Sequence, residues 1–207
     1  MIFSIQNQKG GVGKSTLSVH IAFELAKIFR VILIDSDPQG SSRDWAAIRE
    51  TEPPFSVVGM DRPTIHRDIT KFTEDYDHIV IDGPPRVSEL ARSGILSADL
   101  IIIPVQPSPY DVWAAIETVK LIQEASVYKE KLKGVFAVNR KIVNTAIGRE
   151  VGQSLSEYGL PVLKSQVCQR VAFADSASLG SVVQEVDPTG KAANEIRLLV
   201  KEILSYA

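Results

Sequence analysis

The sequence predicts an α/β fold, a single doubly wound, mostly parallel sheet with helices on both faces. Three observations predict it. Apolar β-branched runs alternate with segments of helical apolar spacing along the chain, as in a parallel sheet whose strands are joined by helices. The runs Val31-Ile32-Leu33-Ile34, Ile79-Val80-Ile81 and Leu100-Ile101-Ile102-Ile103 are continuously apolar, as befits strands covered on both faces. No linker, internal repeat or low-complexity stretch interrupts the 207 residues, so 1–207 reads as one domain.

The elements follow in order. Ile2-Phe3-Ser4-Ile5-Gln6-Asn7 is an apolar-rich strand, and after a glycine-rich turn residues 17–26 carry helical spacing. Residues 30–35 form the second strand, ending in the helix starters Asp35-Ser36-Asp37. A helix over 42–50 stops at Glu52-Pro53-Pro54, and Phe55-Ser56-Val57-Val58 is a weak strand. Residues 64–73 suit a helix, 76–82 a strand broken by Gly83-Pro84-Pro85, and 86–97 a helix. Residues 99–105 are a buried strand, 110–127 a long helix, 134–139 a strand and 145–158 a helix. Pro161-Val162-Leu163 begins one more short strand, and 171–178 and 190–205 are helices separated by Ser181-Val182-Val183.

Composition excludes several function classes. Hydrophobic content of 44% and charged content of 23% are ordinary for a globular chain. No window approaches the ~18–20 apolar residues of a membrane span. The chain opens in a strand, which predicts no signal peptide and a cytoplasmic protein. Its one cysteine, Cys168, can form no intramolecular disulfide and no structural zinc site by itself. Net charge is −2, but residues 1–127 hold 12 Lys/Arg against 17 Asp/Glu and residues 128–207 hold 11 against 8. An anionic polymer would therefore be met by the C-terminal half.

The chemistry is concentrated in Lys9-Gly10-Gly11-Val12-Gly13-Lys14-Ser15-Thr16, between the first strand and the first helix. Glycines in such a turn let backbone N–H groups face phosphate oxygens, and the helix N-terminus adds partial positive charge. Lys14 is placed to reach β- and γ-phosphates, and the Ser15 hydroxyl to meet Mg²⁺. Ligands of such sheets bind beyond the carboxyl ends of the strands. The polar residues at those ends are Lys9 to Thr16, Asp35, Asp37, Asp82, Ser108 to Asp111 and Asn139. Asp82, at the end of Ile79-Val80-Ile81, has the place of a Walker B carboxylate.

Gln8 stands where the general Walker A pattern has its first glycine, and Lys9 adds a second lysine. That Lys-Gly-Gly-x-Gly-Lys-Ser-Thr spelling resembles the deviant Walker A box of the ParA/MinD group of ATPases. Asp35-Ser36-Asp37-Pro38-Gln39 is similar to the group's second switch, and Gln169-Arg170-Val171 and Pro188-Thr189-Gly190-Lys191 resemble small plasmid-type ParA proteins.

The resemblance implies ATP and Mg²⁺ as cofactors, with hydrolysis slow in the absence of a partner. Asp37 orients or deprotonates the attacking water, Asp82 holds Mg²⁺ through water, and Asp35 supports the metal shell. Lys9 crosses to the nucleotide of a second copy, so ATP is sandwiched in a homodimer. The base pocket falls at Pro107-Ser108-Pro109 and Asn139-Arg140; an amide at Asn139 can pair with adenine or serve as a strand-end turn residue. The group's small members bind nucleoid DNA without sequence preference as ATP dimers, and a ParB-like or other small adaptor releases them by stimulating hydrolysis. Arg170, Lys164 and Arg149 are the expected DNA contacts, although Ala172 replaces an arginine that some relatives carry. No N-terminal helix-turn-helix extension is expected. Two alternatives stay open: a MinD-like regulator whose last helix lies on a membrane, and a small-molecule ligase of the same fold. The cargo cannot be read from the residues.

Overall fold

The computed structural model describes residues 1–86 and 88–206, and the side chain of Arg149 is outside the described residues. The elements run β1 (Ile2–Ile5), α1 (Lys14–Ala26), β2 (Val31–Asp35), α2 (Ser41–Ala47), β3 (Ser56–Gly59), α3 (Ile65–Asp68), β4 (His78–Asp82) and α4 (Glu89–Ser97). They continue through β5 (Leu100–Val105), α5 (Pro109–Ser126), β6 (Lys133–Val138), α6 (Ala146–Ser156), α7 (Val171–Ser178), α8 (Val183–Val186) and α9 (Lys191–Leu204).

The six strands form one parallel sheet in the order β3-β2-β4-β1-β5-β6. The doubly wound sheet predicted from the alternation is therefore present. β1 lies centrally, with β4 and β5 on its two sides. The order reverses there, so the loop leaving β1 opens into the crevice at the switch point.

Strand side chains alternate between two cores, which is why the strands read as unbroken apolar runs. Phe3, Ile5, Leu33, Val80, Leu100 and Ile102 pack with Leu17, Ile21 and Leu25 of α1 and Ile196, Leu199 and Ile203 of α9. On the other face Ile101, Ile103, Val105, Phe136 and Val138 meet Val112, Val119 and Ile122 of α5. Ile32, Ile34, Ile79 and Ile81 meet Ile65 and Leu90. Each such fully buried aliphatic side chain stabilises the fold by about 1.5–3 kcal/mol over leaving it exposed.

Several expectations need correction. Pro161-Val162-Leu163 is no strand: it contributes one bridge, Val162 to Phe136, because the chain leaves β6 again after two backbone bonds. The helix expected over 42–50 ends at Ala47, and the one over 64–73 splits into α3 and a 3-10 turn, Ile69–Phe72. Residues expected only as a spacer after 178 include a four-residue helix, α8. Its packing on His20, through a Val183 N–H bond of 3.2 Å, is a tertiary effect that local pattern cannot show.

Candidate functional site: the phosphate loop and the adjoining cavity

The loop after β1 owes its shape to glycine at a required place. Gly13 has φ +91°, and a Cβ there would lie 2.4 Å from the Asn139 amide nitrogen. Only glycine combines that backbone with so close an approach. Asn139, leaving β6, donates from Nδ2 to the Val12 carbonyl at 2.8 Å, so it props the loop from behind. Gln106 Nε2 donates to the Gly11 carbonyl at 3.1 Å from the far side. α1 starts at Lys14 with no side-chain cap on its N–H groups and no acidic residue in its first turn. Those free N–H groups and the helix dipole favour an anion at the loop.

Lys14 is buried, and its Nζ donates to the Lys9 carbonyl at 3.3 Å. Burial lowers its pKa, while the charges of Asp82 and Asp37 act against that shift. Asp82 is fully buried at the end of β4. Its carboxylate accepts from Ser42 Oγ at 2.8 Å and Ser18 Oγ at 3.3 Å. Burial pushes its carboxyl up to about 6, against the opposing pull of the Ser15 and Ser42 hydroxyls. Lys14 is a single buried cation facing two buried carboxylates, Asp82 and Asp37, and a phosphate-bound divalent ion fits the negative charge left over. No cluster of three or more His, Cys, Asp or Glu among the described residues could hold a metal by itself. The donor set thus suits an ion like Mg²⁺, which keeps waters and phosphate oxygens around one protein hydroxyl.

Asp35 and Asp37 are both buried, and their roles divide. Asp35 lies beside Asp82 in the sheet register. One of its oxygens accepts from Asp37 N–H at 3.1 Å and the other from Arg43 N–H at 2.9 Å, with Arg43 Nε 3.5 Å away. Burial raises its pKa, and those two backbone N–H groups partly restore the charge. Its carboxylate thereby helps shape the loop after β2 and the start of α2. Asp37 accepts from Gln39 N–H at 2.9 Å through one oxygen, and no bond is formed by the other among the described residues.

Lys9 behaves differently from Lys14. It stands on the rim of the site and pairs with Asp111 of α5 at 2.8 Å within its own chain. Asp111 is buried and its second oxygen has no partner, so Lys9 is the group that balances it. The sequence places Asp111 among the polar residues at the strand ends, but nothing in it shows the pairing with Lys9. Beside this pair, Tyr110 and Trp113 are exposed at 72% and 59% and meet edge to face at 5.5 Å.

A cavity of about 810 Å³ adjoins the loop. Gly13, Thr16, Leu17, Asn139 and Arg140 form one side of it. The opposite wall comes from residues 167–177, which the sequence reading did not assign to a pocket. Pro107 is not among the lining residues, because Ser108 and Pro109 instead open α5 as N-cap and first helical residue. Arg170 is also reassigned. Expected on a DNA-facing surface, it lies on this cavity wall with its guanidinium on Glu195 of α9, Nε to Oε2 at 3.2 Å. Its charge is therefore balanced inside the chain. Lys164 is exposed and carries no ion pair among the described residues. Arg149 falls on α6, its side chain outside the described residues.

The family model for the CobQ/CobB/MinD/ParA nucleotide binding domain matches residues 3–183. The chain belongs to that family. It is of the ParA type within it. It is 30% identical over 205 residues to the maintenance of carboxysome distribution protein A of Halothiobacillus neapolitanus, covering 97% of this chain and 95% of the relative. It is 25% identical over 237 residues to the chromosome-partitioning ATPase Soj of Thermus thermophilus, covering 98% and 94%. The fold is shared with the septum site-determining protein MinD of Pyrococcus horikoshii, solved with Mg-ADP, at TM-score 0.79, 17% identity and coverage of 98% and 95%. The nucleotide-binding character expected of the loop is thus a family property of this ParA-type chain.

Proposed function

We propose that the protein is a Mg²⁺-dependent ATPase that dimerises around ATP and positions a cellular cargo, binding DNA without sequence preference in the ATP-bound dimer. The observation that carries this reading is the division of labour between its two lysines. Lys14 is buried beside Asp82 and Asp37 at the uncapped start of α1, a place that suits a partner for β- and γ-phosphates. Lys9 sits on the rim, paired with Asp111, where a second copy can approach.

Magnesium, when bound, neutralises charge on the β- and γ-phosphates. Ser15 would supply a direct hydroxyl to the ion, and Asp82 would hold water beside it. Asp35 holds the switch loop, and through it Asp37, whose free oxygen orients the attacking water. Lys9 leaves Asp111 and crosses to the partner's phosphates. Exposed Tyr110 and Trp113, on the same rim, suit burial between two copies.

Cargo positioning is drawn from the relatives, whose names describe carboxysome distribution and chromosome partitioning. A ParB-like or other small adaptor fits as the stimulator of hydrolysis. DNA binding draws on the basic excess after residue 127, with Lys164 and Arg149 as contacts and Arg170 no longer among them. A nucleoid-associated cytoplasmic location follows from that reading. The membrane alternative loses support because Ile196, Leu199, Val200 and Ile203, the apolar face of α9, are buried in the core.

The test measures mass in solution with Mg-ATP and with Mg-ADP, then random-duplex binding across a salt series. A dimer formed only with ATP is expected, with DNA affinity falling at a log–log slope of roughly −0.9 per phosphate neutralised. A monomer in both nucleotides, or DNA binding indifferent to nucleotide and salt, refutes it.

A further inference from the structure

The far wall of the cavity is not held by the sheet alone. Beyond β6 the chain at residues 166–169 runs beside residues 138–141 as an incomplete extra strand. Val167 N–H donates to the Val138 carbonyl, Lys141 N–H to Val167 and Gln169 N–H to Lys141, at 2.9 to 3.1 Å. A single bridge, Lys141 to Cys168, is all the regular pairing this makes. An edge so short has little stability of its own.

Two carboxylates on α9 complete it. Glu202 accepts the N–H groups of Lys164 at 2.8 Å and Ser165 at 2.7 Å. Seven residues earlier, and so on the same helix face, Glu195 accepts the N–H of Cys168 at 3.0 Å and both arms of the Arg170 guanidinium. α9 itself is fixed, since its opposite face is buried against the core with α1. Val167, Cys168, Gln169, Arg170 and Val171 all line the cavity, whereas Lys164 and Ser165 do not. Glu195 therefore stands directly behind the wall, and Glu202 behind its approach.

We propose that Glu195 is a positioning residue for the nucleotide's base and ribose: from α9 it fixes the 167–170 wall that this part of the nucleotide packs against. Phosphates held at the loop leave the base and ribose to extend past Thr16 into this cavity. The carboxylate is partly buried, which by itself opposes its charge, but Arg170 and the Cys168 N–H outweigh burial and leave its pKa below the ordinary range. Glutamine in its place keeps the length but turns an amide donor toward donors already present, so the wall loses its clamp.

The inference rests on the nucleotide reading above, and the two fail in different ways. Calorimetry compares Mg-ATP with Mg-tripolyphosphate, which has the phosphates but no base or ribose, on wild type, Glu195→Gln, Glu195→Asp and Glu202→Gln. Glu195→Gln is expected to bind ATP roughly tenfold more weakly, the scale of a lost charge-assisted bond, while binding tripolyphosphate as wild type does. Glu195→Asp should fall between, and Glu202→Gln should leave the ratio of the two affinities at the wild-type value. A Glu195→Gln protein that binds ATP normally overturns the proposal. So does one that loses both ligands in proportion, whether by misfolding or otherwise. A wild type that binds neither ligand instead removes the nucleotide reading itself.

Discussion

The two sides of the cavity are built by opposite means. The loop side, residues 9–16, is a contiguous segment that offers the uncapped N-terminus of α1 and the buried Lys14. The far side is assembled from residues 167–177 and, behind them, Glu195 of α9. The first depends on loop shape and charge, so single substitutions there should be severe. The second depends on packing and on a clamp more than twenty residues away in sequence, so its losses should be graded.

The largest effect should come from Lys14→Ala. It removes the one buried cation facing Asp82 and Asp37, and turnover should fall by more than about a hundredfold, as when a charge-stabilising group is lost from a water-poor site. Steady-state phosphate release measures it. Wild-type turnover in that variant would erase the contrast between the two sides. Asp37→Ala comes next: hydrolysis should drop by about a hundredfold, while ATP binding and dimer formation persist. Loss of the dimer as well would make Asp37 a purely structural residue of the switch loop.

The difference in construction also explains what the sequence reveals. A phosphate loop must be contiguous, so Gly13-Lys14-Ser15 between a strand and a helix is readable at once. The apolar runs of β2, β4 and β5 declare a parallel sheet for a similar reason, since burial on both faces leaves no polar alternation. Asp35 was readable as a site residue, but not that both its oxygens would be taken by Asp37, Arg43 and the start of α2. The far wall left no such trace. Nothing local in Gln169-Arg170 distinguishes a DNA-facing arginine from one paired across the fold with Glu195, because the partner lies on another helix. Pro107 lies near the site in sequence but outside this cavity's lining, and its neighbours Ser108 and Pro109 start α5. The helix α8 was missed because four residues carry no periodic pattern, and only His20 and the core explain it.

Lys9 joins the two kinds of region, being a loop residue held by a side chain of α5. Lys9→Gln should weaken the ATP-dependent dimer about tenfold while monomer nucleotide binding changes little, since a charge-assisted contact to the partner is lost. Asp111→Asn should act in the opposite direction, because it releases Lys9 and removes the buried carboxylate that Lys9 balances. Sedimentation velocity at several ATP concentrations separates the two. Weaker dimerisation in both variants would mean that Asp111 aims Lys9 toward the partner and does not restrain it.

The smallest effect concerns His20, through which α1 is tied to the C-terminal part of the chain. Its Nδ1 lies 2.7 Å from the Thr16 carbonyl, so that nitrogen carries the proton, and Nε2 accepts from Val183 N–H at 3.2 Å. A second proton would set two donors face to face. Burial above all lowers its pKa to about 4, from 6.5. The unfolded chain therefore takes up a proton below pH 6.5 that the folded chain refuses until about pH 4, and stability falls as pH drops through that window. At pH 5.5 the loss from this group is about 1.4 kcal/mol, one decade of protonation in the unfolded state. Asp82 works in the other direction. Its raised pKa, about 6, makes the folded chain the better proton acceptor between pH 6 and 3.8, so its contribution grows as pH falls there. The two slopes largely cancel in wild type without nucleotide, and the measurement must be a difference. Urea midpoints taken from pH 7.5 to 5 for wild type and His20→Phe should converge as pH falls, the variant being less stable at pH 7.5 but losing less on acidification. Parallel curves across that range would mean that His20 is not held neutral, and that the bond between α1 and α8 is weaker than its geometry indicates.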